Sequence, residues 1–252
     1  MRRLGSQAGQ SGRTSSGGRP ICNRILLSIP DSEYLAIRPH LKFLRLPYRH
    51  ILHEPNEKLQ CAYFLNSGLV SLMIETREGK TVEVGIIGKE GMVGMQSAVG
   101  LTRSPLHEVV QIAGEGFSIV ASALQAILPS TPFFRMMLNR YAVVQSLQIS
   151  QTAACNRLHN VEQRFARWLL LFQARSDSDS LEITHDFLAA MLGTDRPSVS
   201  VAAGNFQRRH VIEYQRGTIK ILNRKKLEKL ACECFSVIQQ LSSDSDLRKE
   251  TQ

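Results

Sequence analysis

The sequence predicts an α+β protein: an N-terminal antiparallel β-roll, a long helix, and a C-terminal winged helix-turn-helix. Three observations predict it. Between about residues 41 and 122, short apolar runs alternate with turn residues. From Thr131 to about Gln173 the apolar period becomes helical. Beyond Leu181, two short helical patterns meet at Gly193 and a hairpin pattern follows.

The chain has 252 residues, room for one large domain or two modest ones. Hydrophobic residues make up 43 %, enough for an ordinary core. No run of about 18 apolar residues is present, so no membrane span is expected. The basic N-terminus lacks a following apolar segment, which argues against a secretory signal. A net charge of +9 points to a polyanionic partner.

Residues 1–22 are rich in Gly, Ser, Gln and Arg and are expected to form a disordered basic tail. A short helix is expected over 30–40. The roll, assigned to 23–130, follows from Cys61–Leu65, Leu69–Ile74, Thr81–Ile87, Val109–Ile112 and Gly116–Val120. Asn66-Ser67-Gly68 and Glu78-Gly79 supply turns. A long helix over 131–156 carries two apolar stripes, so it must pack on two sides. One stripe holds Phe134, Met137, Tyr141, Val144, Gln148, Gln151, Cys155 and Leu158; the other holds Met136, Val143, Leu147 and Ala154. One side would cover the roll and the other a second copy. Met137, Tyr141, Val144, Gln148 and Gln151 are assigned to the dimer interface. The competing reading buries the whole helix within one chain.

Arg157 to Ala174 continues as helix, with Phe165, Trp168, Leu169, Leu170 and Phe172 on its core face. Ser176–Ser180 reads as a polar loop, and 241–252 as a disordered tail. Cys22, Cys61, Cys155, Cys232 and Cys234 are odd in number and scattered, which suits a reducing compartment. No C-x2-C pair occurs, and Cys232 and Cys234 on a helix would diverge. No zinc site is therefore expected, and each cysteine reads as a small buried apolar side chain.

The region 157–240 carries the most specific pattern. Thr184 can cap a helix over His185–Leu192, and Gly193 can end it in a left-handed conformation. Asp195 can cap the next helix, about Arg196–Arg208, with Pro197 harmless in its first turn. Ala189 allows close approach of the two helices. Leu188, Leu192, Val199, Ala202 and Phe206 form the inward face. Val211–Tyr214, a Gln215-Arg216-Gly217 turn and Thr218–Leu222 then form a hairpin, the wing. Arg208, Arg209, Arg216, Lys220, Arg224, Lys225 and Lys226 crowd this region. Helix-turn-helix, wing and basic rim together imply binding to double-stranded DNA.

In these features, and in Ile183–Gly193 with Gly68, Gly91 and Gly94 of the roll, the sequence from about 30 to 235 resembles the Crp/Fnr family of bacterial transcription regulators. The resemblance implies a cyclic-nucleotide-binding-like roll, a dimerisation helix, a cytoplasmic homodimer on a palindromic operator, and RNA polymerase as a further partner. It carries Arg196, Ser198, Ser200 and Val201 over as base-reading positions. Thr184 and His185, with the basic Arg208, Arg209, Arg216 and Lys220, are taken to approach the DNA backbone. Pro197 and Val201 depart from the family, which often has a glutamate and a second arginine there. Val201 can touch a thymine methyl or simply pack.

The resemblance also frames the sensor. Relatives that bind cyclic nucleotides use a Gly-Glu for the ribose and a downstream Arg-Ser for the phosphate. Here Met95 follows Gly94, Ser104–Glu108 holds no Arg-Ser, and Arg103 is displaced. A buried phosphate without a cation is too costly, so no cyclic nucleotide is expected. One N-terminal cysteine is too few for an iron–sulfur cluster. No feature recommends haem, and no cofactor or metal is expected. Two other classes compete with the regulator: a metal-dependent β-barrel enzyme using His50 and His53, and a winged helix that binds protein. On a strand those histidines would face opposite ways, and both read as loop or rim residues. No catalytic motif supports an enzyme.

Overall fold

A computed structural model describes residues 12–176 and 178–244. Two short helices, α1 (Arg24–Ser28) and α2 (Asp31–Ile37), precede the roll. Its strands are β1 (Lys42–Leu46), β2 (Ile51–His53), β3 (Cys61–Leu65), β4 (Leu69–Glu75), β5 (Thr81–Ile87), β6 (Met92–Val93), β7 (His107–Ile112) and β8 (Gly114–Val120). They form two four-stranded antiparallel sheets, ordered β1-β8-β3-β6 and β2-β7-β4-β5. Leu46, Leu52, Leu65, Val70, Leu72, Ile87, Val93 and Val110 form a core cluster drawn from both sheets. All five strand segments expected from the sequence are present. Gly68 is required where it stands: its φ is +84°, and a Cβ would lie 2.7 Å from the Ile112 carbonyl oxygen.

The chain continues through α3 (Ala121–Ile127) into the long α4 (Pro132–Leu158). Pro132 starts α4 without loss, since a first-turn N–H has no helical acceptor. Glu33 of α2 accepts from the Phe133 and Phe134 N–H groups at 3.0 and 2.7 Å. That carboxylate is a cap supplied from outside the helix. The expected continuous helix past Arg157 is broken. α4 stops at Leu158 and α5 (Val161–Ser176) begins afresh. Asn160 and Gln163 exchange side-chain and backbone bonds at 3.0 and 3.2 Å, a capping box that sets the new start.

The tail assignments also change. Residues 1–11 and 245–252 lie outside the described residues, but 12–22 pack on the roll. Arg13 bonds the Leu26 and Ile29 carbonyls and pairs with Asp31 at 2.7 Å. Ser15 and Ile21 are buried. At the other end, residues 241–244 belong to a helix.

The C-terminal unit contains β9 (Ser180–Glu182), α6 (His185–Leu192), α7 (Arg196–Arg208), β10 (Ile212–Gln215), β11 (Thr218–Ile221), α8 (Arg224–Leu230) and α9 (Cys234–Asp244). β9 replaces the end of the expected polar loop. Leu181 is buried and faces Ile219, so β11 becomes the central strand of a three-stranded wing sheet.

The C-terminal unit docks on the sheet holding β4 and β5. Leu69, Met73, Ile86 and Val109 share one apolar cluster with α5, α6, α7 and the wing. Glu83 lies at this joint. The β4–β5 register skips Val84, and Glu83 becomes buried. Its carboxylate accepts from Trp168 Nε1 at 2.7 Å and Ser71 Oγ at 2.6 Å. Burial pushes its carboxyl up to about 7, against the bonds from Ser71 and Trp168 and the charges of Arg167 and Arg175, which act the other way. The folded chain therefore holds a proton that the unfolded chain releases near 4.5. The stability from this group is fully present below about 4.5 and is lost as pH rises through about 7. Urea midpoints should thus fall between pH 5 and pH 8, and Glu83→Gln should flatten that part of the profile. An equally steep decline in the variant would assign the pH dependence elsewhere.

Candidate nucleic-acid interface

The helix-turn-helix is built by local rules. Thr184 Oγ1 accepts from the Phe187 N–H at 3.3 Å, capping α6. Gly193 ends α6 at φ +57°, and the Gly193 and Thr194 N–H groups bond the Ala190 and Ala189 carbonyls. Asp195 Oδ1 accepts from the Ser198 N–H at 2.7 Å and caps α7. These bonds hold the Asp195 carboxyl below its ordinary value. Leu188, Ala189, Leu192, Val199, Ala202 and Phe206 are all buried, and Phe206 stacks on Phe165 of α5 at 5.2 Å between ring centres. α7 is thereby held on α5 and α6 with its opposite face in solvent.

That outer face presents Arg196, Pro197, Ser200 and Val201. Arg196 is 65 % exposed and lies 3.5 Å from Asp186, a contact that solvent weakens and that leaves the guanidinium available. Val201 is exposed rather than packed. Ser198 is only half-exposed and, with Val201, lines a shallow groove against Asn160, Val161 and Glu162. Ser200 is committed locally: its hydroxyl bonds the Arg196 carbonyl at 3.0 Å and His185 Nδ1 at 2.9 Å.

Two assigned backbone contacts have other work. The Thr184 hydroxyl serves as the α6 cap. The His185 ring stacks on Tyr214 of the wing at 4.5 Å. Burial first, then the Arg196 charge, depress the His185 pKa against the pull of Asp186. His185 thus joins α6, α7 and the wing as a structural contact. Tyr214 adds a second tie through its hydroxyl to the Ile183 carbonyl at 3.2 Å.

The basic rim is uneven. Arg208 bonds Asn205, and Arg209 approaches Glu162 at 3.9 Å. Arg216 and Lys220 are exposed on the wing. Arg216 sits at φ +50° and Gly217 at +81°, the two left-handed residues of a tight hairpin turn. This turn places the arginine at the wing tip.

The dimer-interface assignment requires a correction. Met137 and Tyr141 pack into the core beneath β3 and β8, and Val144 is buried as well. The Tyr141 hydroxyl fills the space a side chain at Gly91 would need. Gln148 donates to Ser242 Oγ at 2.9 Å and accepts from Arg175 at 3.1 Å; Gln151 donates to Cys234 Sγ at 3.0 Å. These five residues face their own chain because α4 is clasped between the roll and α9. The other stripe faces outward: Met136, Val143 and Leu147 are 46, 61 and 48 % exposed.

One roll histidine is corrected too, while His50 is the exposed loop residue expected. His53 is buried, with Nδ1 on Glu108 and Nε2 2.9 Å from the Cys61 carbonyl oxygen. It is an interior polar pair, not a rim residue, and sequence spacing gives no sign of Glu108 as its partner. A Cβ on Gly94 would meet this ring at 2.9 Å, and Gly94 has φ +77°. Met95, at the position of the family's ribose-binding glutamate, is buried in the apolar core.

The fold is thus a β-roll joined by a long helix to a winged helix whose α7 has one face in solvent. Residues 163–230 match the family model of the Crp-like helix-turn-helix domain. No curated protein matches in sequence. Solved structures match in fold. FixK2 from Bradyrhizobium japonicum is 13 % identical over 76 % of this chain and 98 % of its own, with a TM-score of 0.66. The c-di-GMP-responsive global regulator CLP of Xanthomonas campestris is 17 % identical over 77 % and 100 %, at 0.65. A CRP-family transcriptional regulator from Thermus thermophilus is 18 % identical over 75 % and 96 %, at 0.63. The chain thus carries a Crp-like helix-turn-helix domain over residues 163–230 and shares its overall fold with these solved regulators. Among the described residues, no helix is long and apolar enough to cross a membrane.

The turn at Gly193 faces the Val82 side chain, 3.1 Å from where a Cβ would lie. Gly193→Ala should therefore cost about 1–2 kcal/mol from its left-handed backbone alone, read as a lower urea midpoint. A change within error would show that the turn relaxes without strain.

Proposed function

We propose that this protein regulates transcription as a cytoplasmic homodimer that binds a two-fold symmetric DNA site. The observation that carries the reading is the pairing of a solvent-facing α7 with an arginine-tipped wing on one rigid unit. α7 has the form that enters a major groove, and Arg216 can reach the flanking phosphates. Arg196, at the first turn of α7, is the principal base reader, with its guanidinium suited to guanine. Val201 offers an apolar contact for a thymine methyl. Ser198 and Ser200 have secondary roles, because one is half-enclosed and the other is bonded within the protein. Lys220, Arg208 and Arg209 contribute to the phosphate field. We divide the chain into a sensor-like roll, the connecting α4 and a DNA-binding unit that starts at the α4–α5 break.

The second copy is assigned to the outward stripe of α4. Met136, Val143, Ser150 and Arg157 recur every seven residues, with Arg140, Leu147 and Ala154 between them. This is the period of two helices packing along a seam. Apolar Met136, Val143 and Leu147 supply the contact. Met95, buried in the roll's apolar core where the resemblance expects a ribose-binding glutamate, argues against a cyclic-nucleotide effector.

Arg196→Ala should weaken binding to the selected site by about 1–3 kcal/mol and relax preference at one base position per half-site. Selection from a random duplex pool followed by binding titration measures both. Unchanged affinity and preference would remove Arg196 from the reading set. Val143→Glu with Leu147→Glu should convert a dimer to a folded monomer in sedimentation and abolish preference for two-fold sites. A dimer that persists in the double variant would place the interface elsewhere.

A further inference from the structure

Three of the five scattered cysteines converge with a histidine. Cys155 lies in the last turn of α4, and His159, four residues on, is the residue that caps its C-terminal end. Cys232 and Cys234 come from the short link between α8 and α9. Cys232 precedes the helix and Cys234 begins it, so the two are not bound by helical geometry and do not diverge. Cys155 Sγ lies 3.4 Å from Cys232 Sγ, and Cys234 Sγ lies 3.6 Å from His159 Nδ1. One ligand atom from each of the four residues falls within 4.8 Å of every other. All three cysteines are buried, while His159 sits at the edge with a side chain 14 % exposed.

We propose that Cys155, His159, Cys232 and Cys234 bind a single tetrahedral zinc ion. The spacing fits one ion. Bonds of about 2.3 Å to sulfur and about 2.0 Å to nitrogen put tetrahedral S···S edges near ~3.8 Å and S···N edges near ~3.5 Å. A cluster of several irons and sulfides does not fit among ligand atoms this close. Cys3His donors favour zinc over hard cations.

The surroundings are those of an outer shell. His159 Nε2 lies 3.3 Å from Glu233, so a ring bound to metal through Nδ1 would give its other N–H to a carboxylate. Gln151 already donates to Cys234 Sγ. The three thiols bind as thiolates and pass their protons to solvent, which leaves the loaded site with one net negative charge. Arg164 and Arg167, both buried, act electrostatically on Cys155 and offset it. Four fixed donors with no C-x2-C motif explain why the sequence hides the site. Cys155 lies 77 residues from Cys232 and His159 lies 75 from Cys234, and only the fold unites them.

The ion would fasten α9 to the last turn of α4, beside the α4–α5 break. It would thus fix the C-terminal unit against the long helix beside the point where α4 gives way to α5.

The test uses the full chain, purified and kept reduced. Elemental analysis should find one zinc per chain. Replacement by cobalt(II) should give thiolate-to-cobalt charge transfer and the intense visible bands of a tetrahedral ion. His159→Asn, at the edge of the cluster and least disruptive to folding, should lose the tetrahedral spectrum at equimolar cobalt. Glu233→Gln should weaken zinc about tenfold while keeping that spectrum. Cys22→Ser, outside the cluster, should change neither. Substoichiometric zinc after reduction and metal loading would overturn the proposal. So would a cobalt spectrum unchanged by His159→Asn and by Cys155→Ser, or a Cys155–Cys232 disulfide in a chain that takes up no metal once reduced.

Discussion

The hydrogen bond from Trp168 to Glu83 is the constraint on which the two-part architecture turns. A carboxylate in a fully enclosed joint is costly unless its oxygens are bonded. Here one oxygen takes the indole N–H and the other takes Ser71 Oγ, so strands β4 and β5 and helix α5 are held at one point. The surrounding contact is apolar and continuous. Leu69, Met73, Ile86 and Val109 from the roll belong to the same cluster as Leu188, Val199, Phe206 and Ile219 from the winged helix. Apolar burial supplies most of the adhesion, but it is not directional. The Glu83 bonds supply direction and tie the docking to one point on β4, β5 and α5.

Helix α4 answers to two partners, and its amphipathicity reflects that. Its inner stripe is divided along its length. Met137 and Tyr141 serve the roll, Gln148 and Gln151 serve α9, and Cys155 serves the α8–α9 link. The polar members of this stripe are explained by those bonds, which link α4 to a helix more than eighty residues later in the chain. Arg175 extends the same tie, bonding Glu90 at 2.9 Å and Gln148 at 3.1 Å. With one face so committed, the apolar residues left outside carry the burden of any association.

Local rules were legible in the sequence and long-range ones were not. Thr184, Gly193 and Asp195 act within four residues of their partners, and each stands in the role that composition assigns. The wing turn at Arg216-Gly217 obeys the same short-range logic. The roll strands were readable because alternation and turn residues suffice. In contrast, β9 carries a single buried residue, too little periodicity to register. The α4–α5 break depends on Asn160 and Gln163, whose capping-box spacing was present but overshadowed by the helical pattern on both sides. The two stripes of α4 were both visible, yet nothing in either said which faces its own chain. That choice is made by Gly91, where Tyr141 fits only because no side chain is there. His53 with Glu108, Glu83 with Trp168 and the cysteine cluster all join residues from distant segments, beyond the reach of spacing rules.

The same distinction shapes the DNA-facing surface. Positions carried over from relatives assume that each side chain is free to reach outward. In this chain the side chains of Thr184, His185 and Ser200 are engaged in contacts that assemble the motif, and partial burial with the Arg196 charge lowers the His185 pKa. Their contribution is positional: they fix the angle between α6, α7 and the wing. In the proposed complex, reading then falls on fewer groups. Arg196 is a delocalised cation with a forked donor set, held at the helix start by backbone geometry rather than by the weak contact to Asp186. Arg216 stands at the far end of the same rigid unit. Because the His185–Tyr214 stack and the Tyr214–Ile183 bond lock the wing to α6, the separation between these two arginines is set by the protein. In the proposed complex a duplex would have to match that spacing, so shape as well as base identity would enter the selection of a site.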